Sequence, residues 1–282
     1  MALWSGNWVI GRAFRADIPP ITLAFLRWGS AFLFLLPFAW RGARRDWPIV
    51  RKHIWRILGM GASGAAIFHS FVYTGLHSTE AINGTLLNSM GPIIIVLIAW
   101  IVFGDTINRR QAIGIGVSFI GTIFLVSRGN LENILSLKIN SGDIWILSAM
   151  FFWGIYSVLL RNIPKNISGI TLLIFTAASA IMFLAPGVVF EYMLGYRVTF
   201  GLPVFAAISY IGIFATIIAY YCYNSAVARI GPNQTGIILY LLPVFGAVAA
   251  IVFLDETLKS YHLIGFAIIL LGIFLATWRA RK

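Results

Sequence analysis

The second half of this 282-residue chain repeats the first. A shift of 149 residues places Trp4 on Trp153, Ile21-Thr22-Leu23 on Ile170-Thr171-Leu172, Ser30-Ala31 on Ser179-Ala180 and Pro37 on Pro186. After a one-residue slip, Tyr73, Asn83 and Thr85 fall on Tyr223, Asn233 and Thr235. After one more, Pro92, Thr106, Gly114, Gly121 and Arg128 fall on Pro243, Thr257, Gly265, Gly272 and Arg279. A register kept over about 130 residues marks an internal duplication, which governs every later assignment. Each copy holds five apolar stretches, and an odd number of membrane crossings turns the second copy upside down.

Composition makes those stretches membrane spans. Sixty percent of the residues are hydrophobic and 11% are charged, far from the roughly half-apolar, quarter-charged mix of a globular domain. Stretches of about 20 apolar residues cross roughly 30 Å of hydrocarbon at 1.5 Å per residue. They predict helices over 2–15, 20–40, 55–75, 83–103, 110–127, 142–161, 169–190, 203–226, 234–254 and 261–278. Lipid offers an open backbone no hydrogen-bond partner, so helices are expected. The short alternating segments of a membrane β-barrel are absent. The first stretch is short, because the repeat register puts its start at 142 − 149 = −7, before Met1. A longer natural N-terminus is therefore expected, and a cleaved signal peptide is not, since the segment belongs to the repeated unit.

The net charge of +12 is unevenly spread. Fourteen of the 21 Lys and Arg, among them Arg41, Arg44, Arg45, Arg51, Lys52, Arg56, Arg109, Arg110 and Arg279, fall on the side that holds both chain ends. Six (Arg12, Arg15, Arg128, Lys138, Arg197 and Lys259) fall on the other side, and Arg27 lies within a span. Seven of the nine acids take that other side, against Asp46 and Asp105 on the first. This positive-inside bias predicts cytoplasmic termini in a bacterial inner membrane, and anionic lipid at the inner leaflet favours the same orientation. The basic run is a topology signal, so membrane lipid is an expected partner and nucleic acid is not. The single cysteine, Cys222, excludes an intrachain disulfide, a thiolate zinc cluster and a redox pair; no metal or cofactor is expected.

Connections are short, the longest being 41–53 and 129–141, and none holds a soluble domain. The expected organisation is one repeat over 1–128, a connection over 129–141 and a second repeat over 142–282. Two inverted copies that exchange conformations convert a cavity open on one side into one open on the other, with substrate held near the midplane between them.

The residues then show a resemblance. Ile21-Thr22-Leu23-Ala24-Phe25-Leu26-Arg27, Met90-Gly91-Pro92, and Phe103-Gly104-Asp105-Thr106 continuing to Gly114 and Gly121 resemble one EamA repeat. Pro243, Leu254-Asp255-Glu256-Thr257, Gly265 and Gly272 restate it. The chain is similar to ten-span members of the drug/metabolite transporter superfamily, within it most of all to the bacterial YddG-type amino-acid exporters. The resemblance implies an all-α integral membrane fold: ten transmembrane helices as two inverted five-helix EamA repeats around a central cavity. The second copy has Thr176 where the first has Arg27, so that arginine is not a symmetric element.

Polarity sorts the spans. The fifth and tenth are almost wholly apolar, which suits the lipid-facing periphery. Their glycines, Gly114 and Gly121 against Gly265 and Gly272, are read as sites of close helix packing or dimerisation, in a monomer or weak homodimer. Substrate-binding candidates lie elsewhere. Trp4, Asn7 and Trp8 share a helix face, with Trp153 and Tyr156 as repeat counterparts of the first two. His69 and Tyr73, and likewise Tyr220 and Asn224, are one turn apart. Asn83, Asn88 and Tyr240 complete the set, with Asn233 and Gln234 beside them. Interfacial packing is the ordinary role of membrane Trp and Tyr, whereas His69 and Asn88 cost more to bury. Pro92 and Pro243 each remove a donor and free the carbonyl four residues earlier, Asn88 and Leu239, for a kink or for a ligand. Arg27, roughly 10 Å into its span, snorkels to the interface, reaches Glu80 as a gating or structural pair, or meets a substrate carboxylate; the gating or structural pair is the expectation, since the resemblance places the arginine outside the central cavity. Asp105 and Glu256 read as first-turn helix caps.

The chemistry excludes several classes. A phosphorylated substrate would need several Lys or Arg around its anion, and the spans supply one arginine. An aromatic and amide lining suits an apolar solute or a zwitterion, whose ammonium gains about 0.5–2 kcal/mol from each ring face. Amino acids fit, and other small metabolites or drugs fit nearly as well. No HExxH, GxSxG or clustered acidic motif appears, which argues against an enzyme; a channel would need a continuous pore. His69 alone is a clear buried titratable group, so facilitated export with little proton coupling is the expectation.

Overall fold

The structure, a computed structural model, describes residues 1–104, 108–130, 132, 140–164, 166–230, 235 and 239–277, with the backbone alone at 230, 240 and 277. The described residues form helices and no strands. In the first half these are α1 (Ala2–Ala13), α2 (Pro20–Lys52), α3 (Ile54–Met60), α4 (Phe68–Ser78), α5 (Ala81–Leu87), α6 (Gly91–Phe103) and α7 (Arg109–Val126). The second half holds α8 (Ser141–Arg161), α9 (Gly169–Met193), α10 (Leu202–Tyr210), α11 (Ala219–Ile230), α12 (Leu242–Leu254) and α13 (Ser260–Thr277). Seven helical stretches (20–52, 54–78, 81–103, 109–126, 141–161, 169–193 and 202–229) are long and apolar enough to cross a membrane. They correspond to seven of the ten expected spans. The remaining three, α1, α12 and α13, are shorter. The basic 41–53 segment, expected as a connection, continues α2 to Lys52.

The duplication extends to the irregularities of the backbone. A π-helix over Gly61–Ile67 joins α3 to α4, and another over Ile211–Ile218 joins α10 to α11, an offset of 150 residues. A 3₁₀ turn over Asn88–Met90 precedes α6 and one over Leu239–Leu241 precedes α12, an offset of 151. Pro92 and Pro243 therefore stand in the first turns of α6 and α12, where a missing N–H costs nothing. At Pro92 the expected mid-span kink becomes a break between the short helices α5 and α6. Gly104 and Asp255 end α6 and α12 in the left-handed region, with φ of 67° and 53°.

The halves interleave. α2 lies along α9, α1 against α12, α6 against α8, and each π-helix against the second helix of the other half. α7 and α13 pair so closely that a methyl group on Gly121 would sit 2.8 Å from the Ile269 nitrogen, and one on Gly272 would overlap the Ser118 side chain. Their glycines thus serve packing inside one chain. Carboxylates fasten helix starts across the halves. Glu191, at the end of α9, accepts from the N–H groups of Ile21 and Thr22 at 2.9 and 2.8 Å. Asp46, near the end of α2, accepts from the Ser168 N–H at 3.2 Å, at the start of α9. Glu256 accepts from Ala81 and Ile82 at 2.8 and 2.9 Å, so it caps α5 of the other half instead of its own following helix. A negative charge on a helix N-terminus contributes about 0.3–1 kcal/mol when exposed and up to about 2 when partly buried. Asp105 lies outside the described residues.

The outer surface is apolar. Leu33, Phe38, Phe119, Val189, Phe205 and Val252 are all exposed, a belt far larger than a soluble protein tolerates. Exposed Trp40 and Tyr192 lie towards the two ends, beneath Arg44 at 4.4 Å and Arg197 at 3.8 Å, as aromatic girdles do at the interfaces.

A candidate functional site between the two halves

The π-helices build the site. Their i to i+5 pattern shifts the backbone register and turns carbonyls away from the usual ladder. Ala215, in the second π-helix, accepts from Trp4 Nε1 at 2.9 Å and from an Arg27 terminal nitrogen at 3.1 Å. Gly64, in the first, accepts from the Tyr220 hydroxyl at 3.0 Å. Ala65 carbonyl lies 2.8 Å from His69 Nδ1, which also lies 3.3 Å from Trp28 Nε1. Each π-helix thus holds side chains of the opposite half, and the first also holds His69 of its own.

Around these groups is a cavity of about 30 Å³, lined by Trp4, Asn7, Trp8, Arg27, Phe68, His69, Asn88, Trp153, Tyr220, Leu239 and Leu242. That is room for one or two waters. Trp4 is its hub: its ring centre lies 5.7 Å from Trp153 and 5.6 Å from Tyr220, both edge-on. Trp153 stacks on Tyr156 at 5.1 Å, whose hydroxyl donates to Asn224 at 2.9 Å. Edge-to-face pairs add about 0.5–1.5 kcal/mol beyond the area they bury, and here they fix the shape of the wall.

Of the residues singled out from sequence, Trp4, Asn7, Trp8, His69, Asn88, Trp153 and Tyr220 line this cavity. Tyr73, Tyr156 and Asn224 stand behind it: Tyr73 donates to Asn7 Oδ1 at 2.5 Å and so orients a lining residue. Asn83 belongs to another cluster, described below. The side chain of Tyr240, and Asn233 and Gln234, lie outside the described residues. Arg27 differs most from expectation. Its side chain neither snorkels nor reaches Glu80, which instead stands 3.7 Å from Lys259. It points inward, 1% exposed, donating to Thr216 Oγ1 and Asn7 Oδ1 at 2.7 Å each and to the Tyr73 hydroxyl at 3.2 Å. Acceptors from both halves meet it there, Asn7 and Tyr73 from the first and Thr216 and Ala215 from the second. Phe68 and Trp28 were not anticipated, since an apolar ring in an apolar span carries no distinguishing signal.

Polar contacts gather at one end of the bundle, within the first half and across to the second. Arg12 donates to the Leu76 carbonyl at 2.7 Å, Asn140 to the Ser78 carbonyl at 2.9 Å, and the Thr199 N–H to the Asp17 carbonyl at 2.9 Å. Beneath them Asp143, fully buried in the first turn of α8, accepts from Thr79 at 2.5 Å and Asn83 at 2.6 Å through one oxygen. Its other oxygen has no partner among the described residues. A first-turn acid reads from sequence as a helix cap, which is why Asp143 drew no notice there. No group of three metal-ligating side chains occurs among the described residues.

Comparison with known proteins agrees with this architecture. The profile of the EamA-like transporter family matches residues 1–127 and 140–278. A protein of Archaeoglobus fulgidus, named as an uncharacterized transporter, is 28% identical over 280 residues, 98% of this chain and 94% of that one. A probable amino-acid metabolite efflux pump of Escherichia coli is 21% identical over 290 residues, 100% of this chain and 93% of the other. A solved crystal structure superposes with a TM-score of 0.62 at 18% identity, covering 98% of this chain and 96% of that one, and so shares the fold. With nearly its whole length matched, the chain belongs to the EamA-like transporter family of the drug/metabolite transporter superfamily, and it is a membrane transporter, not an enzyme.

Proposed function

We propose that this protein exports amino acids, aromatic and other neutral ones foremost, across a bacterial inner membrane. Ten helical stretches act as two five-helix repeats of opposite orientation, 1–128 and 142–282, joined by 129–141, with both chain ends cytoplasmic. The observation that carries this reading is the cavity between the halves: rings supplied by both, with two amides and one arginine from the first. Such a lining favours an apolar or zwitterionic solute over a phosphorylated one. The name of the Escherichia coli relative points the same way.

Alternating access follows from the duplication. The contacts of Asn140, Asp143 and Thr199 close one end, and exchanging the conformations of the two halves opens that end while closing the other. With about 30 Å³ inside, an amino acid enters only after Trp4, Trp153 and Tyr220 move apart, so the closed form is one stage of a cycle.

Counterflow in liposomes tests the proposal. Purified protein, preloaded with unlabelled amino acids, accumulates labelled phenylalanine, and neutral amino acids compete. If no amino acid moves while another metabolite does, the substrate assignment falls and the transporter class stands. An imposed pH gradient leaves the initial rate nearly unchanged if export is facilitated; strong acceleration would overturn that part.

A further inference from the structure

We infer that the Arg27 guanidinium anchors a substrate carboxylate, so that the transported solutes carry one carboxylate on a mostly apolar or aromatic body and the matching amines and amides are poor substrates. This deepens the amino-acid reading and rests on it, since the site is the same cavity.

Three observations converge on Arg27. The first is its charge. Arginine remains protonated in proteins, yet every partner of this side chain is neutral: Asn7, Tyr73, Thr216 and the Ala215 carbonyl. The ion pairs among the described residues join Arg45 to Asp46 and Lys259 to Glu80, and neither involves Arg27. A charge taken out of water without a counter-charge is costly, all the more within a membrane span, where such residues mark substrate pathways.

The second is the duplication. At the equivalent place in the second half stands Thr176, whose hydroxyl bonds to the Leu172 carbonyl of its own helix at 2.8 Å. The same helix in the same setting therefore packs without a cation. Arg27 answers to something that the fold alone does not require.

The third is geometry. A guanidinium has five N–H groups. One on Nε is taken by Thr216, the two on Nη1 by Asn7 and Tyr73, and one on Nη2 by Ala215, which leaves a single N–H on Nη2. These bonds hold the plane in place without neutralising it, and the side chain forms part of the cavity wall. The rings of Trp28 and Tyr220 lie 5.9 Å from its central carbon. A carboxylate reaching that wall gains a charge-assisted hydrogen bond, while its aromatic or aliphatic body meets Trp4, Trp153 and Phe68. Among the described residues no other Lys or Arg side chain lines the cavity, which limits the solute to one anionic group.

The test compares solutes that differ only in the carboxylate. Wild-type protein in liposomes carries labelled phenylalanine while phenethylamine and phenylalaninamide are offered as competitors, and leucine is set against isopentylamine. The expected outcome is a preference for the carboxylate member of about ten- to a hundredfold, the scale of one charge-assisted bond. R27Q levels that ratio, and R27K, which keeps a positive charge without the fork, restores part of it. Equal competition by amines and acids in the wild type, or an R27Q ratio equal to that of the wild type, overturns the inference. Should R27Q not fold, the wild-type ratio and R27K still decide. Failure of the export reading looks different: no amino acid, with or without its carboxylate, moves at all.

Discussion

Trp4 shows how much one side chain can hold together. Its indole N–H bonds to the Ala215 carbonyl, 211 residues away, while its ring meets Trp153, Tyr220 and Tyr223. Trp4→Phe keeps most of the ring contact and loses the bond; about 0.5–1.5 kcal/mol of stability should go with it. Trp4→Ala opens the wall as well and should cost about 3–5 kcal/mol. Melting temperature in detergent, measured alongside counterflow, separates the two. Asp143 makes a second prediction. Asp143→Ala leaves the buried Thr79 and Asn83 donors without their acceptor, at about 1–3 kcal/mol each, whereas Asp143→Asn retains an acceptor and should melt closer to the wild type. Asp46, beyond the membrane-spanning part of α2, carries a pH dependence. The Arg45 guanidinium, aided by the Ser168 N–H, holds its carboxyl below the usual range. A depressed carboxyl stabilises the fold above its ordinary pKa, and that contribution disappears as pH falls through the lowered value. Asp46→Asn should flatten the acid limb of the melting-temperature profile and leave its neutral part similar in shape.

Among the elements, the two π-helices and the α7–α13 pair are most distinctive. Deleting Ala66 from the first π-helix should return the segment to α-helical register and withdraw the Gly64 and Ala65 carbonyls from Tyr220 and His69. Transport should fall by tenfold or more while the protein still inserts, because what is lost is the setting of a few groups and not the span. Unchanged counterflow in that variant would show the π-helix to be incidental. On the α7–α13 seam, Gly272→Leu forces a side chain into Ser118 and should cost about 1–3 kcal/mol. Gly116, with nothing within 4 Å of an added methyl group, should accept leucine with little change, which makes it the control. The glycines of this seam were legible in the sequence as packing sites. The π-helices were not, because a one-residue change of hydrogen-bond register leaves the apolar pattern of a span intact.

At the scale of the molecule, cross-linking tests the two-gate mechanism. The Ser78 carbonyl and the Asn140 side chain meet at 2.9 Å, so cysteines at both positions, in a Cys222→Ser background, should be joined by a short bifunctional reagent and arrest transport reversibly. Full activity after joining would exclude any cycle that opens this end. Read alone, the sequence determined a helical membrane protein, its internal duplication, its family and seven of the cavity's lining residues. It could do so because burial in lipid imposes a hydrophobic pattern that is local along the chain, and a repeat is visible by comparing the chain with itself. Tertiary structure alone decided that Arg27 turns inward, that Glu256 caps a helix 175 residues away, and that Asp143 is buried against Thr79 and Asn83. Those outcomes depend on which donors and acceptors arrive opposite one another when the two halves pack, and no local pattern of apolar and polar residues encodes that meeting.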